Sequence, residues 1–243
     1  MRVEKRNKAL QQEIQHNTAP ILAVQNNTIN VVDTERDIRL LIVSKIASTS
    51  PINYFNTIIT CKRLHFGPEY YPVAKALNLK PLVNQPSLAN RYRMLVARCL
   101  EANNIDAHFV KGMLEYFESQ NQILGLHHIH IASKGGHIQG TYVYGVLLMA
   151  VGETDNGVKI INKLTDDKGI SVVEECMENF QRSIERPFLH MKETYVSSMQ
   201  KMWPHLNCHP QEGADTTVCS NCFHFFLLTE FYKMMLGFND LMD

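Results

Sequence analysis

The chain has no excess of charge of either sign. Lys plus Arg and Asp plus Glu number 24 each among 243 residues, a formal net charge of +0, so no global field draws it to nucleic acid or to an anionic membrane. Long hydrophobic runs are missing as well. The longest, Val143 to Val151, is interrupted by Gly145 and falls far short of the roughly 20 residues that a membrane-spanning helix needs. The polar opening MRVEKRNKALQQEIQ holds no apolar signal-peptide core, so the expectation is a cytoplasmic or nuclear chain whose six Cys stay reduced. Strand-like alternation of useful length is also absent, which sets β architectures aside. What remains is 45% hydrophobic and 20% charged, the composition of a globular protein with a buried core.

Residues 1–33 are rich in Asn and Gln, with Arg2, Lys5, Arg6 and Lys8 scattered near the start, and read as a solvated tail. From Asp37 a pattern begins. Ile38, Leu41, Ile42 and Ile46 share a helical face, and Ser48-Thr49-Ser50-Pro51 supplies an N-cap and a first-turn proline for a second helix, NYFNTIIT. Pro68, Pro72, Pro81 and Pro86 then punctuate a connector. It has room for one short helix around Val73 to Leu79, before Leu88, Tyr92, Leu95 and Cys99 mark a longer one.

The next segment repeats itself. Ala107, Gly112 and Tyr116 are answered by Gly140, Gly145 and Met149 at an offset of 33, and Gly125-Leu126 by Gly157-Val158 at an offset of 32. A period in the thirties with small residues at fixed places marks stacked helical hairpins, in which Gly and Ala let helices approach closely. The spacing predicts helices near 105–119, 123–134, 138–151 and 156–164. Beyond Gly169, apolar residues at Ile170, Val173, Met177, Phe180 and Ile184, then Phe188, Met191, Tyr195, Met199 and Met202, predict two long amphipathic helices broken at Pro187.

Candidate chemistry is sparse. Cys219 and Cys222 form a single CxxC, a spacing that grips a metal ion from one turn; Cys208, with His209 beside it, and His224 are the further ligand candidates for a structural zinc. Packed, reduced thiols are the alternative. His127, His128, His130 and His137 lack a carboxylate or thiol at matching spacing and read as solvated helix-surface residues. Cys61 and His65 stand at i, i+4 beside Lys62 and Arg63, but without a third orienting residue. Gly135-Gly136-His137 is a turn between helices, because no GK[ST] follows it. No cofactor is expected beyond a structural zinc, and no catalytic role.

Residues 37–64, DIRLLIVSKIASTSPINYFNTIITCKRL, resemble an F-box. The matching positions are Asp37, Ile38, Ile42, Val43 and Ile46, then Pro51, Phe55, Asn56, Ile59, Cys61, Lys62 and Leu64. Thr34-Glu35 stand where the family opens with Leu-Pro, and Arg39 at a normally apolar position. With DAHFVKGMLEYF, IASKGGHIQGTYVYG and CSNC following in that order, the chain resembles the plant group in which an F-box precedes a Sel1-like helical repeat and a CxxC-containing tail. The resemblance implies the substrate receptor of a Skp1–cullin–F-box ubiquitin ligase. In that role Ile38, Ile42, Val43, Ile46, Pro51, Phe55, Ile59, Cys61, Lys62 and Leu64 would dock a Skp1-like adaptor, and through it a cullin.

The expected architecture is all-α: a tail over 1–33, an F-box-like module over 34–72, connector helices over 73–104, Sel1- or TPR-like hairpins over 105–166, and a C-terminal helical region over 167–243. A helical-repeat scaffold that no longer binds the adaptor, and a zinc-stabilised interaction module, are the alternatives. The target is an unidentified protein; neither nucleic acid nor membrane is expected as a partner. No basic, acidic or aromatic stripe in the sequence selects the target.

Overall fold

A computed structural model describes residues 31–184, 193–204 and 219–236. It divides at Asp37, inside the first helix, into two compact units, 1–37 and 38–243; of the first, residues 31–37 are described, as helix. Among the described residues there are helices and turns but no strand, the all-α fold that the sequence predicts. Helix α1 spans Val31–Thr49 and α2 Pro51–Thr60. Ser50 is the N-cap of α2, its hydroxyl accepting from the Asn53 N–H at 3.2 Å, with Pro51 in the first turn where a missing N–H costs nothing.

The connector is more broken than its periodicity suggests. In place of one short helix and one long one it forms α3 (Tyr71–Ala76), α4 (Lys80–Asn84), a 3-10 turn (Pro86–Arg91) and α5 (Arg93–Glu101). Prolines at the first or second position of three of these elements explain the breaks, since each disfavours helical backbone just before it.

Four helices follow: α6 (Ile105–Met113), widening into a π turn over Leu114–Glu118, then α7 (Gln122–Lys134), α8 (Ile138–Ala150) and α9 (Thr154–Lys168). The repeat seen in sequence is reproduced atom by atom. A Cβ on Gly112 would lie 2.5 Å from Ile129, and one on Gly125 2.6 Å from the Tyr116 backbone. In the second hairpin Gly145 stands against Ile161, and Gly157 so close to Met149 and the Gly145 carbonyl that a Cβ would meet both at 2.5 Å. Only a missing side chain allows this approach.

The turns repeat too. Asn103 and Gly136 both adopt positive φ, as do Gln120 and Gly152. Asn104 caps α6 by accepting from the Ala107 N–H at 3.0 Å, and His137 caps α8 by accepting from the Gly140 N–H at 2.9 Å. A side-chain cap of this kind on His requires an unprotonated Nδ1.

Helices α10 (Ile170–Ser183), α11 (Glu193–Met202) and α12 (Ser220–Met235) complete the described fold. The expected break at Pro187 lies outside the described residues. Two core clusters hold these elements together. One gathers Phe109, Tyr116, Tyr142, Phe180, Tyr195 and Phe231 with the aliphatic faces of α8, α9 and α12. The other runs from Val43, Ala47 and Tyr54 through Leu77, Leu82 and Cys99 to Ala107 and Val110, so the N-terminal helices share a core with the connector and the first repeat helix. Asn104, itself buried, ties that junction by donating to the carbonyls of Ala74, Lys75 and Leu77.

Candidate functional site

Helices α1 and α2 each bury one face and leave an apolar face outside. On α1, Val43 and Ala47 are fully buried while Ile38, Leu41 and Ile42 are 51%, 66% and 47% exposed. On α2, Tyr54 is buried while Ile52, Phe55 and Ile59 are 72%, 58% and 60% exposed. The spacings i, i+3, i+4 and i, i+3, i+7 place each exposed set on one stripe of its helix. Their opposite faces are fixed firmly. The Tyr54 hydroxyl donates to the Phe66 carbonyl at 3.2 Å, and burial, then the charge of Glu69, pushes its pKa up to about 12, so it stays a neutral donor. The Asn78 N–H donates to the Ala47 carbonyl at 2.9 Å.

Of the positions that the sequence offers for adaptor docking, Ile38, Ile42, Phe55, Ile59 and Lys62 are exposed; Ile46, Pro51, Cys61 and Leu64 are half-buried, with Ile46 and Leu64 packed on the core. Val43 is corrected to a core residue: one step around the helix from Ile42, it has no surface to offer. Leu41 and Ile52 were not among those positions, though helical spacing from Ile38 and Phe55 identifies them.

Cys61 and His65 do not form a helical pair. Helix α2 ends at Thr60, Cys61 is its extended C-cap, and a 3-10 turn over Lys62–Leu64 intervenes. His65 Nδ1 instead donates to the Ile58 carbonyl at 3.0 Å. The buried thiols of Cys99 and Cys176 are both pushed up to about 12, chiefly by burial, and stay protonated.

Of the zinc candidates, Cys208 and its neighbour His209 lie outside the described residues. Cys219 is the N-cap of α12 and Cys222 stands in its first turn, both half-buried. His224 is buried, its Nδ1 3.3 Å from the Ser220 hydroxyl and its Nε2 without a partner among the described residues. An orphaned nitrogen suits a ligand, but two residues along an α-helix turn His224 about 200° away from Cys222. Cys222 and His224 therefore do not converge on one ion. Among the described residues no group of three or more His, Cys, Asp or Glu is placed to hold a metal.

Of His108, His127, His128, His130 and His137, which the sequence presents as solvated or leaves unremarked, His127 alone is exposed. His108 Nδ1 and His128 Nδ1 share a hydrogen bond of 2.9 Å, His130 stacks on Tyr144 with ring centroids 4.8 Å apart, and His137 stacks on Phe109 at 4.5 Å. Burial lowers the pKa of all four. For His137 it prevails over Asp106, whose Oδ1 lies 3.6 Å from Nε2. No described helix is long and apolar enough to cross a membrane.

A family model described as plant tetratrico peptide repeats matches residues 79–185. Two curated relatives from Arabidopsis thaliana are Putative F-box protein At1g67623, 30% identical over 42% of this chain and 35% of its own length, and F-box protein At5g50450, 28% identical over 50% and 38%. No solved structure matches. F-box protein At2g35280, also from Arabidopsis thaliana, is 36% identical over 129 residues, 53% of this chain and 79% of its own. At that identity and coverage, over a chain that folds into helical hairpins, the protein belongs to the plant F-box protein family that includes F-box protein At2g35280.

Proposed function

We propose that the chain is the substrate-receptor subunit of a Skp1–cullin–F-box type ubiquitin ligase, working in the cytoplasm or nucleus. The apolar stripes of α1 and α2 dock a Skp1-like adaptor, and the hairpins, Sel1-like in their sequence resemblance, present a protein target. The observation that carries this reading is the exposed set Ile38, Leu41, Ile42, Ile52, Phe55 and Ile59 on two helices whose other faces are locked into the core. Apolar side chains at such spacing are costly in water and gain roughly 1.5–3 kcal/mol each when fully buried. The relatives named as F-box proteins give that surface its partner class. Such a receptor performs no bond chemistry itself. It raises the effective concentration of a target lysine near a ubiquitin-charged enzyme.

The test is co-precipitation of the full chain with a purified Skp1-type adaptor at low salt. Capture by the unaltered chain and its loss in Ile42→Lys or Ile59→Lys, with helical content unchanged, supports the reading; capture that survives both substitutions places docking elsewhere. Thr34-Glu35 in place of Leu-Pro favours the second reading, a repeat scaffold without adaptor. That reading is upheld if the folded, unaltered chain captures no adaptor.

A further inference from the structure

The two hairpins enclose a cleft of about 680 Å³. Tyr144 of α8 lines it, with His130 and Lys134 from the last turns of α7 and Lys159, Lys163 and Lys168 from α9. Four lysines thus face one cleft against two carboxylates, Glu153 and Asp167. None of the four forms an ion pair among the described residues. Among the helical lysines outside the cleft, Lys111 pairs with Glu115 and Lys233 with Glu230, whereas Lys45, Lys75 and Lys201 form no ion pair among the described residues. Lys159 and Lys163 are one helical turn apart and point the same way, leaving a local positive field on a chain of no net charge.

The cleft has the length and lining of a peptide site. From Asn156 to Lys168 it follows α9 for about 18 Å at 1.5 Å per residue, the span of about five residues of extended chain. His130 and Tyr144, stacked with an interplanar angle of 21°, add a flat aromatic platform. Burial, then the nearby charges of Lys134 and His127, keeps that imidazole neutral. Evenly spaced phosphates would meet Glu153 and Asp167 as well as the lysines, whereas a peptide can set carboxylates against the lysines and neutral or basic residues against the acids. Lysine is a flexible point charge suited to single carboxylates in varied positions.

We propose that this cleft binds an extended acidic segment of a target polypeptide, with its carboxylates on Lys134, Lys159 and Lys163 and an adjoining side chain over the His130–Tyr144 pair. The proposal deepens the substrate-receptor reading and rests on it for the role of the bound segment as a target.

The experiment measures fluorescence anisotropy of a fluorescein-labelled peptide of five glutamates flanked by Gly-Ser, titrated with the full chain. Saturable binding is expected, weakened about fivefold between 0.05 and 0.3 M salt as exposed charges are screened. K159E/K163E should lose about tenfold or more in affinity. K201E, a charge reversal at the exposed Lys201 of α11, outside the cleft, should lose none. Should K159E/K163E lose its helical circular dichroism, K159A/K163A carries the same expectation with a loss of about threefold. Absence of saturable binding, an equal loss in K201E, or competition by single-stranded RNA as strong as by unlabelled peptide overturns the proposal. Adaptor capture by K159E/K163E keeps the two readings apart: peptide loss with capture intact sustains both, and failed capture by the unaltered chain sinks the ligase role while the peptide result stands by itself.

Discussion

The N-terminal helix pair and the repeat hairpins handle apolar surface in opposite ways. In the hairpins, Gly112, Gly125, Gly145 and Gly157 let backbones close until Ile129, Ile161 and Met149 are enclosed. In α1 and α2 no glycine appears, and apolar side chains stand outward at helical spacing. A repeat that closes on its neighbour needs no partner to bury its helices, whereas a helix pair with a second apolar face retains unspent driving force for association. The difference separates residues that hold this protein together from residues free to bind.

That separation can be broken from both sides. The largest effect is expected from Gly157→Val, whose branched side chain would strike the Gly145 carbonyl and Met149. A loss of about 3 kcal/mol should appear as a lower midpoint in urea denaturation. Next is Asn104→Ala, which removes the α6 cap and leaves the Ala74 and Leu77 carbonyls short of a donor; a loss of about 2 kcal/mol is expected by the same measurement.

Acid should act on the hairpins and spare the exposed stripes. His108, His128 and His137 have pKa values lowered below 6.5, mainly by burial, so the unfolded chain takes up their protons first. Their contribution is therefore intact above about pH 6.5 and is lost as pH falls below it, toward the lowered folded values. A thermal midpoint that declines from about pH 6.5 downward checks this. His137→Asn, which retains a capping oxygen, should decline less steeply. A midpoint flat to pH 5 would show that these rings are not held neutral. The smallest effect on stability belongs to Ile59→Lys, within about 0.5 kcal/mol because the side chain already faces water. A loss of about 2 kcal/mol there would mean that this stripe is core after all.

Much of the fold was legible beforehand because it depends on local chemistry. The Ser50-Pro51 corner, the hairpins at a period of 33 and 32, and their glycines are read from spacing alone. In the connector, first-turn prolines outweigh a weak apolar period and divide it into shorter elements. The docking positions were legible only as faces: spacing places Ile42 and Val43 on neighbouring lines of one helix, and burial alone distinguishes them. His137 looked like part of a solvated cluster, since no sequence signal marks a histidine whose neutral Nδ1 serves as a cap.

The sequence by itself determined that this chain is helical, that its middle is a repeat, and which residues let the hairpins close, because helix periodicity and the missing glycine side chain act within a few turns of chain. Tertiary structure alone decided which apolar face of α1 and α2 stays in water. It also brought Lys134 to Lys159 and Lys163 across a cleft. A stripe made of residues from two helices has no signature along one chain, because the charges meet only after the hairpins have stacked.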